Sequence, residues 1–214
     1  MLDFLAVCIA IFFLIQASEY LFKKKYIGSE TSRKLIHMGT GVIVAFTPYF
    51  LEWREIQLLS IAFLLVIGVS SKFRVFRSIH SVKRITKGEI LYPIGIGICA
   101  FLEPANWIFT AAILHLAIAD ALAAVVGLKW GKRTKYMLLS HGKSMLGSMT
   151  FFYVSMAIMF SAYLFVEPEN LPDTFLLLIV APAILTLLEN ISWYGSDNVT
   201  IPVMAIVLLS GLPG

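Results

Sequence analysis

Asp120 stands 13 residues beyond Trp107 in an otherwise apolar run, Asn106 to Leu128, which at about 1.5 Å per residue carries its carboxylate roughly 20 Å along a helix. A carboxylate at that depth in a membrane must face a polar cavity, pair with a cation or hold a metal, because left alone it costs several kcal/mol. Four other polar groups could work with it. Arg33, Lys34 and His37 put two side chains, i and i+4, on one helical face, where a phosphate could be gripped. Lys87-Gly88-Glu89, followed by Tyr92-Pro93, opens another apolar run with Glu89 at its boundary. His141-Gly142-Lys143-Ser144, followed by Gly147-Ser148, offers free backbone N–H groups and a lysine to anionic oxygen. It is not a P-loop, because Met137 occupies a position that needs glycine, and no strand is expected before it. Glu189-Asn190 and Asp197-Asn198 flank a loop without Lys or Arg, and an acidic cluster there suits Mg²⁺. Cations with three or four carboxylates at one membrane face are what a polyphosphate and its magnesium ions require.

Each group also has a plainer structural reading. Arg33 and Lys34 can be topology-setting charges, and Glu89 a helix N-terminal charge favoured by the dipole. Asp120 can be hydrogen-bonded within a packing helix whose Ala123, Ala124 and Gly127 form a small face. Glu189 can pair with a basic loop residue while Asp197-Asn198 starts a helix.

The elements that must position these residues are membrane spans. The 214 residues are 59% apolar and 14% charged with a mean hydropathy of +0.85, which excludes a soluble enzyme. Eight stretches approach the roughly 20 residues a span needs: Leu2 to Phe22, Leu35 to Leu51, Ile56 to Ser71, Ile90 to Glu103, Asn106 to Leu128, Gly147 to Val166, Thr174 to Asn190 and Val199 to Leu212. The fourth and eighth are short, so seven spans is the alternative. The first lacks a basic n-region and is expected to remain in the mature protein. Sixteen of the seventeen Lys and Arg residues fall in the loops after the first, third and fifth spans, and only Arg54 lies elsewhere. By the positive-inside rule this predicts eight spans with both termini on the non-cytosolic side and every candidate residue at the cytosolic face. The fold class expected is therefore an all-α polytopic helical bundle, a single domain over 1–214. Pro93 and Pro182 are expected to bend or interrupt their helices. Cys8 and Cys99, far apart in apolar runs, suggest neither a metal cluster nor a disulfide framework.

Five motifs, in order and with consistent sidedness, resemble the CTP-dependent lipid kinases that include dolichol kinase, phytol kinase and the fungal CTP-dependent diacylglycerol kinase, relatives of the phosphatidate cytidylyltransferases. They are Arg33-Lys34-x-x-His37, Gly88-Glu89-x-x-Tyr92-Pro93, Asp120-Ala121 through Gly127 and Gly131, Gly142-Lys143-Ser144-x-x-Gly147-Ser148, and Glu189 with Asp197-Asn198-x-x-x-Pro202. The resemblance implies a cytosolic site transferring the γ-phosphate of CTP to an isoprenoid lipid alcohol of polyprenol, dolichol or phytol type, with the bilayer as environment and no nucleic-acid partner. On that basis Asp120, Glu89 and Lys143 are expected to be catalytic. Arg33, Lys34, His37, Lys87, Gly127, Gly142 and Ser144 are expected to bind nucleotide or phosphate, and Asp120, Glu189 and Asp197 to hold Mg²⁺. Lys132-Arg133 and His141-Gly142 echo the cytidylyltransferase pattern, whose Lys-Asp and Asp-Arg pairs are missing. Cytidylyl transfer and diacylglycerol phosphorylation are the alternatives, and a transporter or scaffold without chemistry is a further one.

Overall fold

In the computed structural model the described residues are 2–73, 88–138, 141–164 and 177–211. Apolar runs become helices because a backbone in lipid must satisfy its hydrogen bonds within the segment. They form α1 (Leu2–Lys23), α2 (Ser29–Ala45), α3 (Trp53–Phe73), α4 (Gly88–Phe101), α5 (Asn106–Leu114), α6 (Asp120–Lys129), α7 (Met145–Tyr163), α8 (Leu177–Ile191) and α9 (Asp197–Ser210). The second expected span begins earlier than its apolar run and gives way to a short 3₁₀ turn, Thr47–Tyr49. Helices α5 and α6 are one continuous rod joined by a π turn, His115–Ala119. Among the described residues, four helices are long and apolar enough to cross a membrane: Leu2–Lys23, Trp53–Ser70, Asn106–Lys129 and Met145–Ala162. Gly88–Phe101, Leu177–Ile191 and Asp197–Ser210 are shorter apolar helices. Large apolar side chains such as Phe13, Leu65 and Phe160 point outward, the inverse of a water-soluble surface. Length and composition thus describe a helical membrane protein.

The rod formed by α5, the π turn and α6 is the centre of the bundle, packed against α2, α7 and α9. Phe109, Ala112, Ile113, Leu116, Ala117 and Ala119 along it have no exposed surface, and the three alanines are small enough to let neighbours approach. Around this axis α3 packs on α4, α4 on α9, and α7 on α8.

The helical bundle carries one short strand pair that was not expected: Lys135–Leu138 (β1) and His141–Ser144 (β2) form an antiparallel hairpin, Lys135 opposite Ser144. A strand therefore does lead into α7, and Ser144 is the N-cap, its Oγ accepting from the Gly147 N–H at 3.1 Å. The prolines do not interrupt their helices: Pro93 and Pro182 lie inside α4 and α8, as Pro202 does inside α9. Pro202 leaves the Asn198 carbonyl without its helical donor, and Gly95 of α4 packs on that oxygen: a Cβ at residue 95 would land on it. This close approach ties the start of α9 to α4, together with an Asn198 Nδ2 bond to the Gly88 carbonyl at 3.4 Å.

Candidate active site

One end of the bundle encloses a cavity of about 520 Å³, within the range of small-molecule sites. Residues expected from sequence reach its walls from five elements. Arg33, Lys34 and His37 enter from α2, Asp120 and Gly127 from α6, Gly142, Lys143 and Ser144 from β2, Glu189 from α8, and Asp197 from α9. Of the residues expected from sequence, these ten converge. Glu89 does not line this cavity; it lines a smaller adjoining cleft, because the α4 face that carries it meets α2 and α3. Lys87 lies outside the described residues.

The charges interact across the cavity. Asp120 is within coulombic reach of Lys34, Lys143, Arg33 and Glu189, and Asp197 of Asp120, Lys143 and Arg33. Arg33 is held by a bidentate pair with Glu30, at 2.7 and 3.3 Å, which fixes the guanidinium plane. Lys143 spans to α8, donating to the Glu189 carbonyl at 2.8 Å and pairing with the Glu189 carboxylate. That ion pair gives Glu189, one of the three carboxylates expected at the metal, a cation of its own. Among the described residues no group of three or more His, Cys, Asp or Glu side chains is arranged to hold a metal ion. Asp120 and Asp197 are within coulombic reach of each other and both of Lys143.

His37, expected at the phosphate, lines the cavity and also bonds the backbone of the π turn. In the π turn the Asp120 N–H bonds the His115 carbonyl, five residues back rather than four, so the Leu116 carbonyl loses its usual helical donor. His37 Nε2 donates to that carbonyl at 3.2 Å. Tyr92 Oη donates to the His37 carbonyl at 2.9 Å, and the two rings are in contact, tilted by 43° with centroids 4.1 Å apart. The Arg-Lys-x-x-His and Tyr-Pro motifs thus meet at the turn that aims Asp120. His37→Ala is expected to lower kcat by roughly ten- to a hundredfold, as misplacing a catalytic group does, with KM for nucleotide unchanged. His37→Gln, whose amide can donate to the same carbonyl, should restore most of the rate. A raised nucleotide KM with normal kcat would return His37 to the phosphate.

Gly127 serves two purposes: it lines the cavity, and a Cβ there would meet Ser144 Oγ at 2.8 Å. The small face of α6 therefore packs on the start of α7 as well as bordering the cavity. Sequence reasoning did not find Tyr136, whose hydroxyl donates to Asn190 Oδ1 at 2.9 Å while Ser148 Oγ bonds the same oxygen at 2.7 Å. This joins β1, α7 and α8 beside the Lys143–Glu189 pair. Its one signal was the Asn190 adjacent to Glu189. Trp193, Tyr194 and Gly195 also line the cavity; positive φ at Tyr194 (50°) and Gly195 (91°) makes the tight turn that delivers Asp197, and glycine adopts that region at little cost.

Comparison with known proteins bears on this arrangement. The chain is 29% identical over 198 residues to phytol kinase of Synechocystis sp., covering 88% of the chain and 82% of that protein. It is 32% identical over 111 residues to an uncharacterized protein of Rickettsia prowazekii, about half of each. No family model matches it, and no solved structure does. Similarity to phytol kinase along most of both chains supports assignment of this protein to the family its motifs resemble, the polyprenol and phytol kinases.

Proposed function

We propose that the chain is a membrane-embedded kinase that transfers the γ-phosphate of CTP to the hydroxyl of an isoprenoid lipid alcohol, with its polar cavity open to the cytosol. The observation that carries this reading is the convergence of Arg33, Lys34 and Lys143 with Asp120 and Asp197 in one cavity at one end of a bundle of apolar helices. The crowding of Lys and Arg into alternate loops supports the cytosolic orientation.

In the reaction the alcohol oxygen bonds to the γ-phosphorus, the bond from that phosphorus to the bridging oxygen breaks, and CDP leaves with that oxygen. The alcohol's proton passes to a carboxylate of the site. Such transfers need mainly positioning and charge stabilisation. Arg33, braced by Glu30, and Lys34 offset triphosphate charge from α2, and Lys143 does so from the hairpin. The Gly142-Lys143-Ser144 backbone shapes the wall on which the phosphates rest. Asp120 and Asp197 fit Mg²⁺, which takes one or two protein carboxylates together with phosphate oxygens and water. Bound there, the ion supplies positive charge to the β- and γ-phosphates.

Asp197→Asn is expected to raise the Mg²⁺ concentration for half-maximal activity by about tenfold, while Glu189→Gln, already committed to Lys143, shifts it little. A magnesium titration of both purified variants checks this; equal shifts would put Glu189 back among the metal ligands. The function itself is tested by incubating the purified protein with CTP and phytol or geranylgeraniol and reading products by ³¹P NMR. A lipid monophosphate with CDP supports the proposal, and pyrophosphate with a cytidine-bearing lipid replaces it with cytidylyl transfer.

A further inference from the structure

A narrower cleft of about 40 Å³ adjoins the main cavity and shares Arg33, His37 and Gly88 with it. Beyond those residues its walls are Ile36 and Thr40 of α2, Phe63 and Ile67 of α3, and Glu89 and Tyr92 of α4. Their spacings, three or four residues apart on each helix, mean that three helix faces converge here. The faces do not close on one another, since α2 packs mainly on α1, α5 and the π turn while α3 packs on α4.

The cleft changes character along its length. At the end shared with the main cavity stand Arg33 and Gly88, with Glu89 next to Gly88 in the chain; Ile36, Phe63 and Ile67 line the rest. The hydroxyls there are engaged by the protein itself: Thr40 Oγ1 donates to the Ile36 carbonyl at 2.6 Å and Tyr92 Oη to that of His37. A ligand passing them meets an apolar wall. Seven residues separate Arg33 from Thr40, about 10 Å of helix. Leu65, Val66 and Val69 of α3 and Ile90 of α4 are exposed nearby, apolar surface of the kind that meets lipid tails.

We infer that this cleft is the acceptor site and that it takes a lipid alcohol with one slender chain. The hydroxyl lies at the Arg33 and Glu89 end, facing the main cavity, and the chain runs past Phe63 and Ile67 into the bilayer. A diacylglycerol carries two chains from one headgroup and could enter only by parting α2 from α3. The direction of phosphate transfer rests on the kinase reading, whereas the location of the lipid does not.

Geranylgeraniol bearing a terminal diazirine, photolysed with the full-length protein in nanodiscs, tests the location by peptide mapping. The expected result is labelling on α2 and α3 between residues 36 and 67 that is lost on adding unlabelled phytol and retained on adding dioleoylglycerol. Phytol-sensitive labelling confined to other helices, no phytol-sensitive labelling at all, or equal displacement by dioleoylglycerol, overturns the inference. Wild-type protein assayed in parallel with γ-labelled CTP keeps the two readings apart. Cleft labelling without phosphorylated lipid rejects the kinase and leaves the lipid site standing; phosphorylated lipid with labelling elsewhere rejects the cleft alone.

Discussion

Asp120→Asn is expected to insert and purify as the wild-type protein does while turning over roughly a thousandfold more slowly, about 4 kcal/mol of transition-state stabilisation. The amide matches the carboxyl in shape, so the packing of α6 on α2 and α7 is preserved. What disappears is the negative charge that faces Lys34, Lys143 and Arg33 in the cavity and one half of the Asp120 and Asp197 pair. Asp120 is also the first residue after the π turn, so its direction is set by a backbone irregularity rather than by a long, adjustable side chain. Such irregularities concentrate at functional positions. Single-turnover rates combined with a thermal melt of the detergent-solubilised variant separate chemistry from folding. Near-wild-type rates would make Asp120 a packing residue of a small-faced helix.

Lys143→Met is expected to lose stability and activity together, and adding Glu189→Gln should return the stability without the activity. Lys143 reaches from β2 to the last turn of α8, where its ammonium meets the Glu189 carbonyl and carboxylate; a cation at a helix C-terminus is also favoured by the dipole. The two side chains are only 21% and 9% exposed. Removing the cation strands a buried carboxylate, at a cost of about 3–5 kcal/mol, and Glu189→Gln removes that orphan charge. If Lys143 also offsets phosphate charge, the double variant melts near the wild-type temperature yet remains about a hundredfold slow. Recovery of the rate in step with the melt would reduce Lys143 to a brace between the hairpin and α8.

These residues differ in how far the sequence alone could reveal them. The helices were legible because lipid imposes one requirement on every span, and Asp120 was legible as the residue that violates it. Arg33, Lys34, Lys143 and Asp197 could be grouped by sidedness, since charge distribution assigns loops to faces. Pairing within that group was not legible. Lys143 and Glu189 are 46 residues apart, and nothing local shows that the hairpin lays one against the other. The hairpin itself consists of four-residue strands, too short for an alternation to stand out beside a helical run. The π turn is composed of His115, Leu116, Ala117, Ile118 and Ala119, residues equally at home in a regular helix, so the partner that His37 finds at Leu116 was invisible. Glu89 was correctly placed at the start of a helix, but only the packing of α2, α3 and α4 shows that it faces the adjoining cleft.

Transfer of a terminal phosphoryl group to a lipid hydroxyl is the reaction proposed for this cavity. The measurement that tests it most directly supplies the purified protein with phytol and CTP labelled in parallel at the α or the γ phosphorus, followed by solvent extraction. Label is expected in the lipid phase from the γ position and none from the α position, with the γ signal lost in Asp120→Asn. Label from the α position, or none from either with phytol, geranylgeraniol or dolichol as acceptor, would contradict it.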